Sequence, residues 1–301
     1  MRVVVSGSSG LVGGALLDAL AARGDTVVPL VRRAPGPDEL RWDPAAGTVD
    51  AAGLAGADAV VNLAGAGLGD RRWSAHRRGE IVASRVDATA LLARTLAAMP
   101  APPAVLVNAS AVGFSGDRGD EELTEDSAPG TGFLAELCRR WEEATAPAAE
   151  AGVRVVRLRS GVVLSAAGGA LARQLPLFRL GLGGRLGSGR QWLSWISLDD
   201  EVGVVLHALD HGLRGPVNAT APAPVTNRDF TRALGRALGR PAVLAVPAVA
   251  LRAALGAELA AEMVLAGQRV LPAAVVASGY RFRHASVEGA LAAALRPAGG
   301  R

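Results

Sequence analysis

The 301-residue chain contains no lysine, one cysteine and one tyrosine. Without lysine there is no amine for Schiff-base chemistry and no phosphate-binding lysine of the Walker type. A single cysteine, Cys138, excludes an internal disulfide and any zinc site that needs several thiolates. The sequence also lacks a long apolar run, because the longest stretch, residues 241–251, contains two prolines and is too short to span a bilayer.

Charge and histidine are also sparse. Arginines number 32 against 28 acidic residues, and a net charge of +4 is too small for a dedicated nucleic-acid binder. His207 and His211 have a spacing that suits a metal on a helix, but no glutamate of an HExxH motif accompanies them, so we interpret them as a solvated face and expect no metal. The N-terminus shows no signal-peptide pattern. We therefore expect a cytoplasmic protein without a nucleic-acid or membrane partner.

What is present is an alternation of strands and helices in the first 160 residues. Apolar runs at residues 3–5, 26–31, 59–63, 105–107 and 153–158 predict buried strands. Amphipathic stretches at residues 11–23, 74–99 and 133–150 predict the helices between them. Strands that alternate with helices form parallel βαβ units, so the sequence predicts an α/β fold with a doubly wound parallel sheet of the Rossmann type.

The second half of the chain is less regular. Five glycines in residues 181–189 predict a loop, and residues 191–196 and 216–219 predict strands. Helices are expected over residues 199–210, 227–238 and 247–265.

A glycine-rich turn, Gly7-Ser-Ser-Gly10-Leu-Val-Gly13, lies between the first predicted strand and the first predicted helix. There, Gly7 permits the tight turn, Gly10 lets the backbone approach a pyrophosphate, and Gly13 allows the helix to pack closely on the strand. The amides and the positive dipole at the helix N-terminus then hold the anion. A flexible turn without a ligand is the alternative, but the position of the glycines favours a dinucleotide site.

The end of the second strand indicates which dinucleotide binds. An NAD enzyme has an acid there, which accepts hydrogen bonds from ribose hydroxyls, whereas this chain has Val31-Arg32-Arg33. A guanidinium pairs with a 2′-phosphate instead. We therefore expect NADP(H), with Arg32 as its main contact. The alternative is that both arginines belong to a solvated turn.

These features divide the chain into two predicted parts. Residues 1–164 are expected to form the dinucleotide-binding Rossmann domain, to which a strand near residues 216–220 returns. Residues 165–301 are expected to form a smaller α/β substrate-binding lobe that includes a short helical domain from about residue 241.

Further motifs resemble the short-chain dehydrogenase/reductase superfamily in its extended form. The resemblance is closer still to an atypical branch, the epimerase-family proteins of the NAD-dependent epimerase/dehydratase family. The motifs are Arg41-Trp-Asp-Pro44, Asn62-Leu-Ala-Gly65, Ser84-Arg85, Ser110-Ala-Val-Gly113, Arg159-Ser-Gly-Val-Val-Leu164, and Gly189-Arg-Gln-Trp192 followed by Trp195-Ile196. The segment from about Pro241 resembles the short domain, of the DUF1731 kind, that ends these proteins.

The resemblance implies where the cofactor lies. Residues 63–65 would pass beside the ribose, Glu80 and Arg85 would reach the cofactor from a helix, and the segment 159–164 would lie next to the nicotinamide. Glu80 and Arg85 could instead be a surface pair. The residues expected to contact NADP(H) are Gly7, Ser9, Gly10, Leu11, Val12, Gly13, Arg32, Leu63, Ala64, Gly65, Glu80, Arg85, Ala109, Ser110, Gly161 and Val162.

The resemblance also indicates what is missing. Ordinary members of the superfamily use a Tyr-xxx-Lys pair, in which the tyrosine passes a proton to the substrate oxygen. This chain has no lysine, its one tyrosine is Tyr280, and Phe133 stands near the tyrosine's place. Ser110 matches the active-site serine of the superfamily and is the one candidate catalytic residue. Its alternative role is to satisfy the backbone at the end of a strand.

Two functions stay open at this point. The first is an NADP(H)-dependent oxidoreductase or epimerase-like enzyme for a small carbonyl or sugar-derived substrate, with Phe114, Gln191 and Trp195 as candidate substrate contacts. The tryptophan is by default a core residue. The second is a non-catalytic NADPH-binding redox sensor or scaffold, which the missing dyad favours. A homodimer is expected only by analogy with the superfamily.

Overall fold

The computed structural model describes residues 1–296. The strands are β1 Arg2–Ser6, β2 Thr26–Val31, β3 Leu40–Asp43, β4 Thr48–Val49, β5 Ala59–Asn62, β6 Val105–Ala111, β7 Glu122–Leu123, β8 Arg154–Ser160, β9 Val162–Leu164, β10 Gly184–Leu186, β11 Trp192–Leu193, β12 Trp195–Ser197, β13 Gly215–Ala219, β14 Val225–Thr226, β15 Leu244–Val246 and β16 Arg269–Val270. The helices are α1 Leu11–Ala22, α2 Ala51–Leu54, α3 Ala75–Val82, α4 Ala88–Ala97, α5 Phe133–Glu143, α6 Ala146–Glu150, α7 Gly169–Arg179, α8 Leu198–Asp210, α9 Asn227–Leu238, α10 Ala248–Leu255, α11 Ala257–Leu259, α12 Ala273–Ala277 and α13 Val287–Ala294.

Eight strands form one sheet in the order β13-β8-β6-β5-β1-β2-β3-β4. Neighbours in this sheet are parallel, except that β4 runs antiparallel to β3. The chain passes from β1 to β2 on one side and later adds β5 on the other, so the winding direction reverses between β1 and β5. A crevice opens at the carboxyl ends of strands at such a point. The predicted doubly wound sheet is confirmed.

Helices cover both faces of the sheet. On one face, Leu16 of α1 and Val205 of α8 belong to one buried cluster with the strands. On the other face, Leu92 of α4 and Ala148 of α6 belong to a second cluster. Because both faces are covered, all four residues of β5 are buried, as a continuous apolar run in a parallel sheet predicts.

Three predicted helices are interrupted in the structure. The helix predicted over residues 74–99 is α3 and α4 joined by a π-helical segment, Ala83–Asp87. The helix predicted over residues 133–150 is α5 and α6, since a proline cannot continue the amide ladder and lies in the first turn of α6. The helix predicted over residues 247–265 breaks at Gly256, whose φ is +93°; beyond it α11 continues into a second π-helical segment, Ala260–Leu265.

The glycine-rich segment 181–189 is not wholly a loop, because it contains β10, which pairs with β15. The strand predicted over residues 191–196 is two short strands, β11 and β12. Helices α7, α9 and α13 enclose a separate core that contains Leu171, Phe230 and Leu291. Within residues 165–296, however, α8 and β13 belong to the layers of the main sheet.

Asp200, at the start of α8, connects residues 280–284 to the helices that cover the main sheet. Its buried carboxylate accepts hydrogen bonds from the hydroxyls of Ser197 and Tyr280 and from the amides of Arg283 and His284. Among residues 1–296, none of the helices has the length and hydropathy that a membrane crossing requires.

Candidate functional site

A cavity of about 670 Å³ lies at the carboxyl ends of β1 and β5. Its lining includes the glycine-rich turn, the end of β2, the end of β3 and the loop after β5. The lining residues are Gly7, Ser8, Ser9, Gly10, Leu30, Arg32, Trp42, Asp43, Pro44, Ala45, Leu63, Ala64, Gly65, Ala66, Ala83, Ser84, Asp87 and Ala88. The volume is in the range of pockets that hold drug-sized ligands and cofactors.

Two glycines of the turn are required by the packing of the backbone. Gly7 has a φ of +71°, and a Cβ there would lie 2.6 Å from the carbonyl carbon of Leu63. A Cβ on Gly13 would lie 2.2 Å from the carbonyl oxygen of Gly7. The turn therefore sits directly against the loop after β5, and α1 begins directly behind the turn.

The N-terminus of α1 has no side-chain cap, because its N-cap residue is Gly10. By contrast, α3 is capped by Ser74, α8 by Ser197 and α9 by Thr226, each through its hydroxyl oxygen. The first amides of α1 thus lack the side-chain acceptor that these three helices have. Together with the helix dipole, these amides can attract an anion at the edge of the cavity.

A buried polar network fixes the strand ends below the cavity. Ser6 of β1 donates to Asn62 of β5 at 2.5 Å, and the Asn62 amide donates to Asn108 of β6 at 2.6 Å and to Thr89 of α4 at 2.9 Å. Trp141 of α5 donates its indole N–H to Thr89. Because these groups satisfy one another, they hold the strand ends in place without reaching into the cavity.

The two arginines after β2 have different surroundings. The Arg33 guanidinium is paired with both carboxylate oxygens of Glu39, at 2.5 and 2.6 Å. Arg32 lines the cavity, is exposed, and makes neither a side-chain hydrogen bond nor a salt bridge within residues 1–296. Arg32 is therefore available to an anion in the cavity, and its contact with a phosphate of NADP(H) stays a prediction.

Arg85 lies in the π-helical segment and is only 9% exposed. A Cβ on Gly65 would lie 3.1 Å from its Cζ, and the guanidinium stands 5.2 Å from the ring centroid of Trp141. Its hydrogen bonds are long, 3.4 Å to the Ile81 carbonyl and 3.5 Å to Ser84. No carboxylate pairs with it in residues 1–296, and burial lowers the pKa of Arg85 to about 10. A buried guanidinium with so few partners is set up to meet an acceptor from a ligand.

Glu80 does not line the cavity. Its carboxylate pairs with Arg77 at 2.8 Å and with His76 at 3.3 Å along α3, which lowers the pKa of Glu80 chiefly through the hydrogen bond from Arg77. The residues expected to contact NADP(H) thus separate into those that line the cavity and those that do not. Those outside the cavity lining are Leu11, Val12, Gly13, Glu80, Arg85, Ala109, Ser110, Gly161 and Val162.

Ser110 lies at the end of β6 and belongs to a buried network. Its hydroxyl donates to Glu142 Oε1 at 2.7 Å, and Glu142 forms a two-point salt bridge with Arg159 at 2.7 and 2.9 Å. All three residues are 4% exposed. The Arg159 guanidinium also stacks on Phe114, 3.5 Å from the ring centroid. Phe114 therefore packs on Arg159 and is buried in this arrangement.

Gly113, three residues after Ser110, lies against α5, the helix on which the resemblance places the Tyr-xxx-Lys pair of the superfamily. A Cβ on Gly113 would lie 3.4 Å from Leu134 and 3.8 Å from the Cys138 sulfur, and these two residues have the four-residue spacing of the pair. Neither can transfer a proton near neutral pH, because burial raises the pKa of the Cys138 thiol to about 12. Phe133 instead packs edge-on against Trp73. Tyr280 donates its hydroxyl to Asp200, and burial raises its pKa above the usual range.

Two of the candidate substrate contacts have structural roles here. Trp195 is fully buried in the core of the lobe, and its indole N–H donates to the Ala223 carbonyl at 2.9 Å. The expectation that it touches a substrate is therefore wrong for this structure, and the default reading of a core tryptophan holds. Gln191 donates its amide to the carbonyls of Leu186 and Val264, each at 3.0 Å. It joins two segments of the lobe.

Sequence reasoning missed several residues of the site. Residues 42–45 line the cavity, and they belong to the motif that was noted only as a family signature. The signal was available, because β3 follows β2 and pairs with it at the cavity edge. Glu142 was also missed. It follows Trp141 on the face of α5 that also carries Cys138, and a carboxylate on a buried helix face requires a partner. His207 and His211 stack on each other, with ring centroids 3.9 Å apart.

Two family models match the chain. Residues 3–220 match the NAD dependent epimerase/dehydratase family, and residues 246–294 match a domain of unknown function, DUF1731. The chain belongs to the NAD dependent epimerase/dehydratase family. The first match covers the main sheet and the cavity, and the second covers α10 to α13.

Named relatives of this family extend over nearly the whole chain. The epimerase family protein Mb2239 of Mycobacterium bovis is 50% identical, over 98% of this chain and 98% of its own length. The human epimerase family protein SDR39U1 is 40% identical, over 97% of this chain and 98% of its own. A crystal structure of human SDR39U1 (isoform 2) with NADPH matches with a TM-score of 0.90 and 37% identity, covering 97% of this chain and 98% of that one. The atypical epimerase-family resemblance is thus confirmed.

Proposed function

We propose that this chain binds NADP(H) in the crevice between β1 and β5 and acts as an oxidoreductase or epimerase-like enzyme on a small carbonyl or sugar-derived substrate. The observation that carries the proposal is a pair of cations that protein groups do not neutralise. Arg32 is exposed at the cavity and Arg85 is buried beside Gly65, and neither has a carboxylate partner in the described chain. The human relative crystallised with NADPH supports the same cofactor.

Three groups of this chain would hold the cofactor. The uncapped amides at the start of α1, with Gly10, suit the bridging phosphates. Arg32 suits the 2′-phosphate, because a guanidinium forms charge-assisted hydrogen bonds with phosphate oxygens. Arg85 suits hydroxyl or carbonyl acceptors on the nicotinamide side of Gly65. The other expected contacts, among them Glu80 and Val162, remain part of this proposal.

Bound NADPH supplies a hydride for a carbonyl carbon. Ser110 is not placed to act as the matching acid, because its hydroxyl proton is donated to Glu142, whose carboxylate also pairs with Arg159. Its oxygen can only accept a further hydrogen bond, from a substrate hydroxyl or a water. The proton must therefore come from solvent, and loss of a positioned acid lowers the rate by roughly 10²–10⁴. Slow turnover is expected.

The proposal assigns residues 1–164, with β13, to cofactor binding and residues 165–301 to the substrate side, with a short terminal domain from about residue 241. Assembly as a homodimer remains part of the proposal by analogy with the superfamily.

A second function is favoured by one specific observation. Ser110 is 4% exposed and hydrogen-bonded to Glu142, and Leu134 and Cys138, which lie against the nearby Gly113, carry no acid or base that titrates near neutral pH. A redox sensor or a scaffold binds NADPH without oxidising it. Such a protein would need the residues that hold the cofactor but no catalytic residue at Ser110.

The test is oxidation of NADPH by the purified chain with a panel of aldehydes, ketones and nucleotide sugars. The enzyme proposal predicts slow, substrate-dependent loss of NADPH absorbance that falls in Ser110→Ala and persists in Ser115→Ala, a control at a buried serine of the same segment. Tight NADPH binding without turnover across the panel would favour the sensor. Equal loss in both variants would contradict a role for Ser110, and a chain that does not bind NADPH would contradict both functions.

A further inference from the structure

Two segments of the lobe, residues 174–198 and 230–257, contain seven arginines and no acidic residue. The whole chain has a net charge of only +4, so positive charge is concentrated in these segments. The structure brings them together. β10 pairs with β15 at Gly184 and Leu244, and a Cβ on Gly181 would lie 3.5 Å from Pro241. We call the face that they share the apolar–arginine surface.

Large apolar side chains are exposed on this surface to an unusual degree. Of the nine such side chains that are exposed in residues 1–296, six belong to it. They are Leu177, Leu180, Leu182, Val243, Leu244 and Val249. Leu180 is 73% exposed and Val243 is 83% exposed. Single exposed apolar residues are ordinary, but a concentration of them indicates a surface that meets an apolar partner.

The arginines lie beside these apolar residues. A shallow groove of about 340 Å³ is lined by Arg232, Arg236 and Arg240 together with Val243. Arg236 reaches Glu288 at 3.1 Å and Arg232 reaches Asp229 at 3.7 Å, yet both arginine side chains remain more than 60% exposed. Arg240 makes no salt bridge within the described residues, and Arg179 follows Leu177 on α7.

We propose that the apolar–arginine surface docks on an anionic lipid surface. Guanidinium groups are attracted to anionic headgroups, and exposed leucines and valines gain by entering the boundary between headgroups and acyl chains. Such a contact is peripheral and needs no membrane-spanning helix. The proposal therefore revises the expectation of no membrane partner, which rested on the absence of a run long enough to span.

Charge argues against the two other occupants of such a surface. In a symmetric dimer through this face, arginines would meet arginines, and neither segment contributes a carboxylate to compensate. A nucleic acid would neutralise the arginines but leave the apolar side chains without a partner. Bases stack on aromatic rings, and of the aromatic residues in these segments Phe178, Trp195 and Phe230 are buried, while the ring of Trp192 is covered by the guanidinium of Arg269 at 4.6 Å.

The experiment is flotation of the full chain with vesicles of phosphatidylcholine, with and without phosphatidylglycerol. The proposal predicts binding only to the anionic vesicles and weaker binding at high salt. Leu180→Ser with Val243→Ser should abolish flotation. Arg179→Gln with Arg240→Gln should weaken partitioning by about fivefold for each arginine removed.

Matched controls keep the test independent of folding and of cofactor binding. Val276→Ser removes an exposed apolar residue on α12, and Arg94→Gln removes an exposed arginine on α4. Both should float like the wild type, and all variants should melt within a few degrees of it. Equal flotation of patch and control variants, self-association that Leu180→Ser abolishes in the absence of vesicles, or retention of RNA but not of anionic vesicles would each overturn the proposal.

Discussion

Two regions lie along the edge of the sheet where its parallel strands end. In the first, at the ends of β1 and β5 (the β1–β5 end), Arg32 and the first amides of α1 have no side-chain partner in the described chain. A cavity of about 670 Å³ lies next to them. At the β6–β8 end, Ser110, Glu142 and Arg159 satisfy one another and are almost completely buried. The donors that a dinucleotide needs are therefore available at the first end. At the other end, the serine that the sequence proposes as catalytic is hydrogen-bonded to Glu142 and almost completely buried.

Arg85 lies between the two ends. Like Arg32, it lacks a carboxylate partner within residues 1–296, but like Ser110 it is buried. A buried cation without a counter-charge costs stability, so its presence indicates a gain elsewhere. A ligand that supplies acceptors beside Gly65 would provide that gain.

The largest expected effect tests whether the β6–β8 end is structural. Glu142→Gln should lower the free energy of unfolding by about 3–5 kcal/mol, because Arg159 would remain buried without its counter-charge. Glu143→Gln is the matched control. It removes an exposed salt bridge to Arg139 and should cost less than about 1 kcal/mol. Urea denaturation measures the free energy of unfolding of both variants. An equal decrease in the two would contradict a buried salt bridge between Glu142 and Arg159.

The next prediction tests the β1–β5 end. Gly13→Ala would bring a methyl group into the carbonyl oxygen of Gly7, so the turn must move and lose its phosphate position. Affinity for NADPH should fall by about 100-fold or more, since hydrogen bonds to a charged group are each worth about 1.5–3 kcal/mol. At Gly14 the nearest atom to a new Cβ is 3.8 Å away, so Gly14→Ala should bind normally. Calorimetric titration measures the NADPH affinity of both variants. Normal binding by Gly13→Ala would show that the glycine-rich turn does not bind the phosphates of NADPH.

A third prediction concerns the other face of the sheet at the β6–β8 end, where the hydroxyl of Ser160 donates a hydrogen bond to Glu201 at 2.5 Å. The second carboxylate oxygen of Glu201 has no partner in the described chain, and burial raises the pKa of Glu201 from 4.5 to about 7. Because the folded-state pKa is the higher one, the folded protein is favoured when Glu201 is protonated. Its stabilising contribution is complete below about pH 4.5 and is lost as the pH rises through 7.

Glu201→Gln should therefore match the wild type near pH 4.5 and exceed it in stability at pH 8, by up to about 3 kcal/mol. Thermal or urea unfolding across this pH range measures the difference. A difference that does not change with pH would contradict the assignment of a buried, protonated carboxyl group.

The smallest of these effects concerns Arg85. Arg85→Met removes a buried charge and keeps an unbranched side chain, so the ligand-free protein should melt at a higher temperature. NADPH should bind about tenfold more weakly, while 2′,5′-ADP, which has no nicotinamide half, should bind as before. A purely structural arginine would give lower stability and no difference between the two ligands.

Much of the fold could be predicted because its signals are local. The bounds of β2 agree with the β-branched run at residues 26–31, and α9 begins after the Thr226 cap and ends at Gly239, whose φ is +61°. β10 could not be recognised within its glycines, because its partner β15 lies 60 residues further along the chain. Short strands of this kind depend on distant pairing, which residue patterns do not reveal.

The site divides in the same way. The place of the glycine turn and Arg32 at one cavity could be predicted because strand, turn and helix follow one another in the chain, while their contacts with a cofactor stay predictions. The network of Ser110, Glu142 and Arg159 was not predicted, since it joins side chains 32 and 17 residues apart on three elements. Trp195 shows the converse error, because a position beside a glycine-rich loop suggested a pocket where the lobe has its core.

In the proposed complex, Arg32 faces the 2′-phosphate of NADPH at the β1–β5 end of the site. The most direct measurement compares the affinities of NADPH and NADH for the wild type, Arg32→Gln and Arg33→Gln. The account predicts that the wild type and Arg33→Gln prefer NADPH by about tenfold or more, and that Arg32→Gln binds both cofactors alike. Equal affinity of the wild type for NADH and NADPH, or an unchanged preference in Arg32→Gln, would contradict it.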